Sequence, residues 1–342
     1  MSEVQTSDPV VLTVILNYRT AAMTLQAAEA ARREMAGIAG EITIVDNDSG
    51  DGSFETMAAA VAAAGWEGVR VLQSGRNGGY GAGNNFGIRA GLAGGRLPDY
   101  VYILNSDAFP DPGAIRLLVD ALDADPAIGF AGSYIHGPDG EPHVTAFRYP
   151  TLWSEFEGAA RTGPVSRLLS KHVVTLPIPD ATCAVDWLAG ASVMMRRTAL
   201  DAIGLFDERF FLYFEETDLC RRARQAGWRT LYVRASEVSH IGSVSTGMKT
   251  WRRMPQYWFD SRLHYFVKNH GGLYAGAATL ATLAGGLIWR ARRLVQRKPE
   301  SDPPHFLQDL ASHSMRALAR GFWRPERSPS PQAARLGRQD SR

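Results

Sequence analysis

The densest chemistry in the chain lies where an apolar run, Phe210-Phe211-Leu212-Tyr213-Phe214, leads directly into Glu215-Glu216-Thr217-Asp218. Three carboxylates at the start of a predicted helix complement its dipole, and Glu216 could serve as a capping partner. The apolar lead-in gives a second reading. A carboxylate in dry surroundings holds its proton more tightly, which suits it to general-base work near neutral pH. Glu215, Glu216 and Asp218 are the candidate catalytic residues.

Three more polar clusters have side chains suited to a nucleotide and a metal. Asp46-Asn47-Asp48-Ser49-Gly50-Asp51 could hydrogen-bond a ligand's ring edge and hydroxyls, although the same residue types also form turns for local reasons. Arg76-Asn77-Gly78-Gly79-Tyr80-Gly81-Ala82-Gly83-Asn84-Asn85 is Gly-rich and precedes a predicted helix, so bare amides and a helix N-terminus could meet phosphate. Gly81, Gly83 and Gly87 imitate a dinucleotide fingerprint. That fingerprint belongs after the first strand, which here ends in Asn17-Tyr18-Arg19, and the context argues against an oxidoreductase. Asn105-Ser106-Asp107 follows an apolar run, and a carboxylate past a strand end suits a hard divalent cation that also grips phosphate. His240 fits either a metal ligand or a core histidine. Trp187, beside Leu188-Ala189-Gly190, is either a flat face for an acceptor sugar or lipid, or a core residue.

The elements that must position these groups alternate in type. Val10–Leu16, Glu41–Val45, Val69–Gln73 and Tyr100–Leu104 are short apolar runs that predict strands. Helices are predicted at Ala21–Met35, Phe54–Ala64, Asn84–Ala93 and Pro112–Asp123. Buried strands alternating with helices indicate an α/β fold with a parallel sheet, whose ligands bind beyond the carboxyl ends of the strands. Ile128–Pro179 has no clear period and suggests a loop-rich insert. Structure resumes at Val185–Arg196, followed by helices at Ala199–Ile203 and Thr217–Ala226 and a strand at Thr230–Val233.

Composition narrows the partners. From Arg290 onward there are 12 Lys and Arg against 5 Asp and Glu, of 37 and 35 in all, so the body is mildly acidic and the tail basic. An acidic body lacks the clustered positive charge that nucleic acid requires, whereas a basic tail suits anionic lipid. Two cysteines, Cys183 and Cys220, and no signal-peptide pattern lead to the expectation of a cytoplasmic location. Leu273–Trp289 is apolar and falls slightly short of a comfortable membrane span; a packed or interfacial helix and true membrane contact are the alternatives. The Pro- and Arg-rich stretch from Lys298 reads as a tail, disordered from about 324.

Taken in order, these stretches resemble glycosyltransferase family 2 and, within it, the bacterial rhamnosyltransferase-like branch. The resemblance rests on Val14-Ile15-Leu16-Asn17-Tyr18, Ile44-Val45-Asp46-Asn47-Asp48-Ser49, the Asn77–Asn85 stretch, Leu104-Asn105-Ser106-Asp107, Leu188-Ala189-Gly190-Ala191, Gly204-Leu205-Phe206-Asp207-Glu208, Phe214-Glu215-Glu216-Thr217-Asp218-Leu219 and Val238-Ser239-His240. It implies a GT-A fold, a Rossmann-like mixed sheet flanked by helices with a C-terminal helical extension. Residues 1–250 would form the catalytic domain, with a nucleotide-binding half over about 10–125 and an acceptor half over about 126–250; 251–297 would be a helical, membrane-associating extension.

The resemblance further implies a nucleotide-diphosphate sugar donor, with deoxythymidine-diphosphate rhamnose the first expectation, a glycan or lipid-linked glycan acceptor, and Mg²⁺ or Mn²⁺. Asp107 matches the metal ligand, with Asn105 replacing the more usual first Asp, and His240 matches a position that helps hold the metal. Asp46 matches the acid that contacts the nucleobase, with Asn17 and Asn47 nearby; Asn77, Gly78, Gly83, Asn84, Asn105 and Ser106 complete the expected donor site, and Trp187 and Gly190 the acceptor side. Glu216 stands where the family places its base, one methylene longer than the usual Asp, which leaves Glu215 as the alternative. Two rival functions are a nucleotidyltransferase, whose basic Gly-rich loop after the first strand is missing, and a non-catalytic nucleotide-sugar-binding partner of the same fold.

Overall fold

The computed structural model describes residues 8–242, 252–299 and 302–321. The disorder expected over 324–342 therefore lies outside the described residues. The four apolar runs form β1 (Val11–Asn17), β2 (Gly40–Asp46), β3 (Val69–Gln73) and β4 (Tyr100–Asn105), linked by α1 (Ala21–Glu34), α2 (Ser53–Ala63) and α3 (Gly79–Ala90). Helical crossovers make the strands parallel, with β2 and β4 on either side of β1 and β3 outside β2. The chain thus moves outward from β1 to β3, then returns to β4 on β1's other side. That reversal opens a crevice at the strands' carboxyl ends. Asn17 pairs there with Asp46, and Leu16 with Asn105.

The second half supplies β5 (Ala108–Pro110), α4 (Ala114–Ala124), β6 (Ile128–His136), β7 (Pro142–His143), β8 (Ala146–Phe147), α5 (Leu152–Ala160) and α6 (Gly163–Leu168). It continues with β9 (Cys183–Val185), β10 (Trp187–Leu188), β11 (Ser192–Arg196), α7 (Arg197–Ile203), α8 (Glu215–Gln225) and β12 (Arg229–His240). The large sheet runs β3-β2-β1-β4-β11-β6-β12-β5, with β7 and β9 at its margins, and β8 and β10 form a separate ribbon. β11 is antiparallel to both neighbours, so the sheet is mixed, as a GT-A fold requires.

Several expectations need correction. Ile128–Pro179 is not all insert, because β6 is a buried strand between β11 and β12. Its Gly129 and Gly132 sit where a Cβ would meet Trp228 Cβ at 2.8 Å and Leu188 Cδ1 at 2.7 Å, so residues that suggest a loop are there for close packing. β12 runs well past Val233; a register shift between Val233 and Glu237 breaks its alternation and hides the continuation to His240. Helix α3 begins at Gly79 rather than Asn84, because its glycines face β1 and β2. A Cβ on Gly83 would lie 2.4 Å from Leu16, and one on Gly87 2.6 Å from Val14.

Three C-terminal helices follow: α9 (Gln256–His270), α10 (Gly272–Gln296) and α11 (Phe306–Ala319). The last is a further difference, since the stretch from Lys298 was expected to be a Pro- and Arg-rich tail. Leu263, Tyr265, Phe266, Ala275 and Ala278 join Phe210 in one core cluster, so α9 and α10 are packed onto the catalytic body. Beneath α10, Arg262 is 1% exposed and donates to Glu155 Oε2 from Nε (2.8 Å) and Nη2 (2.5 Å), to Thr279 Oγ1 (3.2 Å) and to Thr282 Oγ1 (2.9 Å). Removing one member of a buried pair strands the other charge. Glu155→Ala is expected to cost about 3 kcal/mol in urea unfolding, whereas exposed Glu29→Ala, in a surface pair with Arg33, is expected to cost less than about 1 kcal/mol.

Candidate active site

The crevice is lined by backbone ends whose side chains are tied to one another. Asp46 is 1% exposed and accepts from Asn17 Nδ2 (2.7 Å), Ser49 Oγ (2.6 Å) and Ser49 N (3.1 Å). Its carboxylate is thus engaged in shaping the loop after β2. Asn17 Oδ1 in turn accepts from Thr24 Oγ1 at 2.7 Å. Asn47 Nδ2 donates to Asn77 Oδ1 (3.0 Å) and Gly79 O (3.3 Å), which joins this loop to the start of α3.

The glycines expected to cradle phosphate are placed differently. Gly78 and Gly83 pack against Ala82 and Leu16. Gly79, at φ +86°, is where a Cβ would lie 1.9 Å from Phe211 O, so only glycine lets that carbonyl approach and accept from Tyr80 N at 3.0 Å. Asn84 is buried within α3; its Nδ2 donates to Tyr80 O at 3.1 Å, and its Oδ1 is buried without a hydrogen-bond partner.

Asn105, Ser106, Asp107 and His240 come together as expected. β5 pairs with β12 so that His240 lies opposite Ala108, and His240 Nε2 is 3.1 Å from Asp107 Oδ1 and 3.4 Å from Asn105 Nδ2. Ser106 Oγ accepts from Thr20 Oγ1 at 3.3 Å. Burial works to raise the Asp107 pKa, but the hydrogen bond and charge of His240, with backbone amides, outweigh it and hold the carboxyl below its ordinary value. The donor set fits a divalent cation. Neighbouring ligands of an octahedral ion at about 2.1 Å stand about 3 Å apart, which matches the Asp107–His240 separation. A different triad, Asp111, His136 and Glu237, has ligand atoms within 4.8 Å of one another. In it His136 Nε2 lies 3.0 Å from Asp111 Oδ2, and Arg234 Nη1 donates to Glu237 Oε1 at 2.7 Å.

The carboxylates of α8 divide by face. Glu216 Oε1 accepts from Gly190 N at 3.1 Å, while Tyr80 Oη donates to Gly190 O at 2.7 Å. A Cβ at Gly190 would lie 2.4 Å from both Glu216 Oε1 and Tyr80 Oη, so a side chain there would displace both. Glu215 is 1% exposed, and its Oε2 has no partner. Burial, then the charge of Glu216, pushes the Glu215 pKa well up; burial pushes Glu216 to about 6. The two carboxyls are therefore driven apart, with Glu215 the more strongly biased toward its neutral form.

Asp218 corrects the sequence reading. Two residues on, the helix has turned about 200° from Glu216, and Asp218 is fully buried on the far side. It accepts from Arg222 Nε (2.9 Å), Lys268 Nζ (2.8 Å) and Asn269 Nδ2 (3.2 Å), so it anchors the helix. Trp187 stacks on Phe147 at 4.2 Å and donates to Arg148 O at 2.9 Å, which commits one ring face and the indole N–H to the protein.

Tyr80, Lys268 and Asn269 were not singled out from the sequence. Tyr80 lies in the stretch read as a phosphate loop, and its contact with Gly190 follows from α3 starting at Gly79. Lys268 and Asn269 lie beyond the quoted motifs, and their contacts with α8 are purely tertiary.

The chain matches the model of the glycosyltransferase-like family 2 over residues 9–262, and it belongs to that family. Within the family its relatives include rhamnosyltransferases. It is 31% identical over 278 residues to the N-acetylglucosaminyl-diphospho-decaprenol L-rhamnosyltransferase of Mycobacterium tuberculosis, covering 75% of this chain and 83% of that protein. A shorter stretch of 56 residues, 16% of this chain and 21% of the relative, is 39% identical to rhamnosyltransferase WbbL of Escherichia coli K12. Among solved structures, a mannosyltransferase from Pyrobaculum calidifontis, in complex with GDP-Man and Mn²⁺, superposes with a TM-score of 0.56 at 17% identity, covering 92% of this chain and 81% of that one. GalNAc-T7 with UDP, GalNAc and Mn²⁺ superposes equally well at 15% identity, over 93% of this chain and 58% of that one. These likenesses are to the fold. The protein is a glycosyltransferase with a GT-A architecture.

The raised Glu215 pKa has a consequence for stability. A carboxyl with a raised folded pKa contributes stability below its unfolded pKa near 4.5, which is lost as pH rises toward the folded value. Glu215→Gln removes that loss. Its melting midpoint is expected to exceed wild type by at least about 2 °C at pH 8, with the difference closing by pH 4, in calorimetry.

Proposed function

We propose that the chain is an inverting, metal-dependent rhamnosyltransferase that uses deoxythymidine-diphosphate rhamnose and transfers the sugar to a hydroxyl of a lipid-linked glycan. One observation supports this most directly. Asn105 N donates to Ala191 O at 3.0 Å, and the adjoining Gly190 N donates to Glu216, so the metal-binding strand end and the base share one short loop. The rhamnosyltransferase relative suggests the donor, and its named acceptor, a diphospho-decaprenol, suggests the lipid link.

Asp107 and His240 would hold the divalent ion, with Asn105 beside them. When bound, that ion supplies Lewis-acid stabilisation of the departing nucleotide diphosphate. The polar ends of β1 and β2 and the start of α3 would hold the nucleoside, with Asp46 and Asn47 shaping that loop. Glu216, ionised at neutral pH and steadied by one backbone amide, takes the proton of the acceptor hydroxyl as it attacks from the face opposite the leaving group. Burial and the charge of Glu216 push the Glu215 carboxyl beside it toward its neutral form. The extra methylene of Glu216 reaches Gly190 directly. Half-buried Trp187 and the Gly190 loop would border the acceptor.

Three measurements test this reading. With donor and acceptor supplied, Glu216→Gln is expected to lower kcat by at least about a thousandfold, with little change in donor binding. Turnover near wild type would remove Glu216 from the base role. In wild type, kcat/KM is expected to fall on the acid side with a midpoint near pH 6, where Glu216 gains its proton. Chelation should abolish transfer and Mn²⁺ should restore it, with Asp107→Asn needing at least about tenfold more metal. Absence of both transfer and donor hydrolysis across a panel of nucleotide sugars would favour the non-catalytic alternative.

A further inference from the structure

Helix α10 turns one face to the protein and the other to solvent. Ala275, Ala278, Thr279, Thr282, Gly285, Gly286 and Trp289 are buried. On the opposite face Leu273, Ala277, Leu280, Ala284, Leu287, Ala291 and Leu294 follow a strict four-three spacing, and all are exposed. The four leucines are 95%, 67%, 62% and 75% exposed, and Ile288 and Val295 widen the stripe at 39% and 85%. Six of the thirteen exposed large apolar side chains among the described residues therefore lie on this one helix, along about 37 Å. A concentration of that kind marks an interaction surface.

Charge decides what covers it. The helix contains no Asp or Glu, and its arginines gather in the C-terminal third. There Arg290, Arg293, Leu294, Pro304, His305 and Gln308 line a cleft of about 410 Å³ between α10 and α11, with Arg297 and Lys298 exposed just beyond. A parallel helix from a second copy would set arginine against arginine. An antiparallel one would offer only the uncharged N-terminal half of its α10, so neither pairing satisfies the basic end. An apolar stripe flanked by Arg290, with exposed Arg297 past its end, matches acyl chains beside anionic phosphates.

We propose that α10 lies flat in the surface of an anionic bilayer, with its leucine stripe among the acyl chains and Arg290 and Arg297 on lipid phosphates. The inner face of α10 is packed on α5 and α9, with Thr279 and Thr282 bonded to Arg262, so the helix rests on the bilayer without crossing it. The proposal is suggested by the lipid-linked acceptor of the reading above, and it identifies the surface that brings the enzyme to that acceptor.

Flotation of the full chain with vesicles tests it. Binding is expected to vesicles of phosphatidylcholine with phosphatidylglycerol, weakly to phosphatidylcholine alone, and to weaken as salt rises. Leu280→Glu with Leu287→Glu, both exposed, should lower the bound fraction at least about tenfold while leaving the melting midpoint unchanged. Arg290→Glu with Arg297→Glu should abolish the preference for phosphatidylglycerol. Failure to float, equal binding to both vesicles, or a dimer in light scattering that the leucine variant splits would each overturn the proposal. Donor hydrolysis, assayed without vesicles, separates the two readings: hydrolysis without flotation removes only the membrane surface, and flotation without hydrolysis only the proposed transfer.

Discussion

A fully buried carboxylate persists only where donors replace the water it has lost, and Asp218 imposes that demand on the catalytic half of the molecule. It is met by Arg222 from its own helix and by Lys268 and Asn269 from α9. Lys268 also donates to Asp207 at 2.8 Å, and His264 Nε2 lies 2.9 Å from the same carboxylate. The loop before α8, the helix itself and α9 are therefore locked by one set of charges. Because the helix geometry is rigid, fixing Asp218 on one face fixes Glu216 on the other.

The same lock holds a segment of unfavourable backbone. Tyr213 and Phe214 adopt φ of 72° and 70°, a left-handed conformation that bulky residues rarely take. Phe214 is held against Trp258 and Tyr265, and Phe211 against Tyr257, all three partners coming from α9. The two left-handed residues turn the chain so that α8 starts at Glu215 with Glu216 aimed at Gly190. Helix α9 thus helps to position the carboxylates of α8, and the family match reaches into it, to residue 262.

What the sequence revealed follows from how local each signal is. The strands β1 to β4 were legible because each is a short apolar run between helices, and the polar ends followed from the topology. Asp107 and His240 lie 133 positions apart, so nothing but family resemblance could join them before the sheet brought them together. The central strand β6 was hidden because Gly129 and Gly132 serve packing against Trp228 and Leu188, and β12 because its irregularity breaks the alternation. In the Gly-rich stretch the residue types were read correctly as close-approach sites, but what approaches Gly79 and Gly83 is protein. Asp218 was misassigned because three carboxylates within four residues look alike until the helix separates their faces.

The surroundings of Glu215 and Glu216 explain how the longer carboxylate is accommodated. A carboxylate one methylene longer than the family's usual Asp needs a fixed point for its oxygen, and Gly190 N provides it. The carbonyl of the same residue is held by Tyr80 from α3, and α3 is in turn pinned through Gly79 to Phe211 in the loop before α8. The result is a closed circuit from helix to loop to helix, in which a Cβ at either Gly79 or Gly190 would collide with a partner. A second charge at Glu215 would repel the first across this dry contact, and burial together with the charge of Glu216 pushes the Glu215 carboxyl toward its neutral form. The same burial raises both carboxyls, but only one is answered: Glu216 is met by Gly190 N, whereas Glu215 Oε2 has no donor.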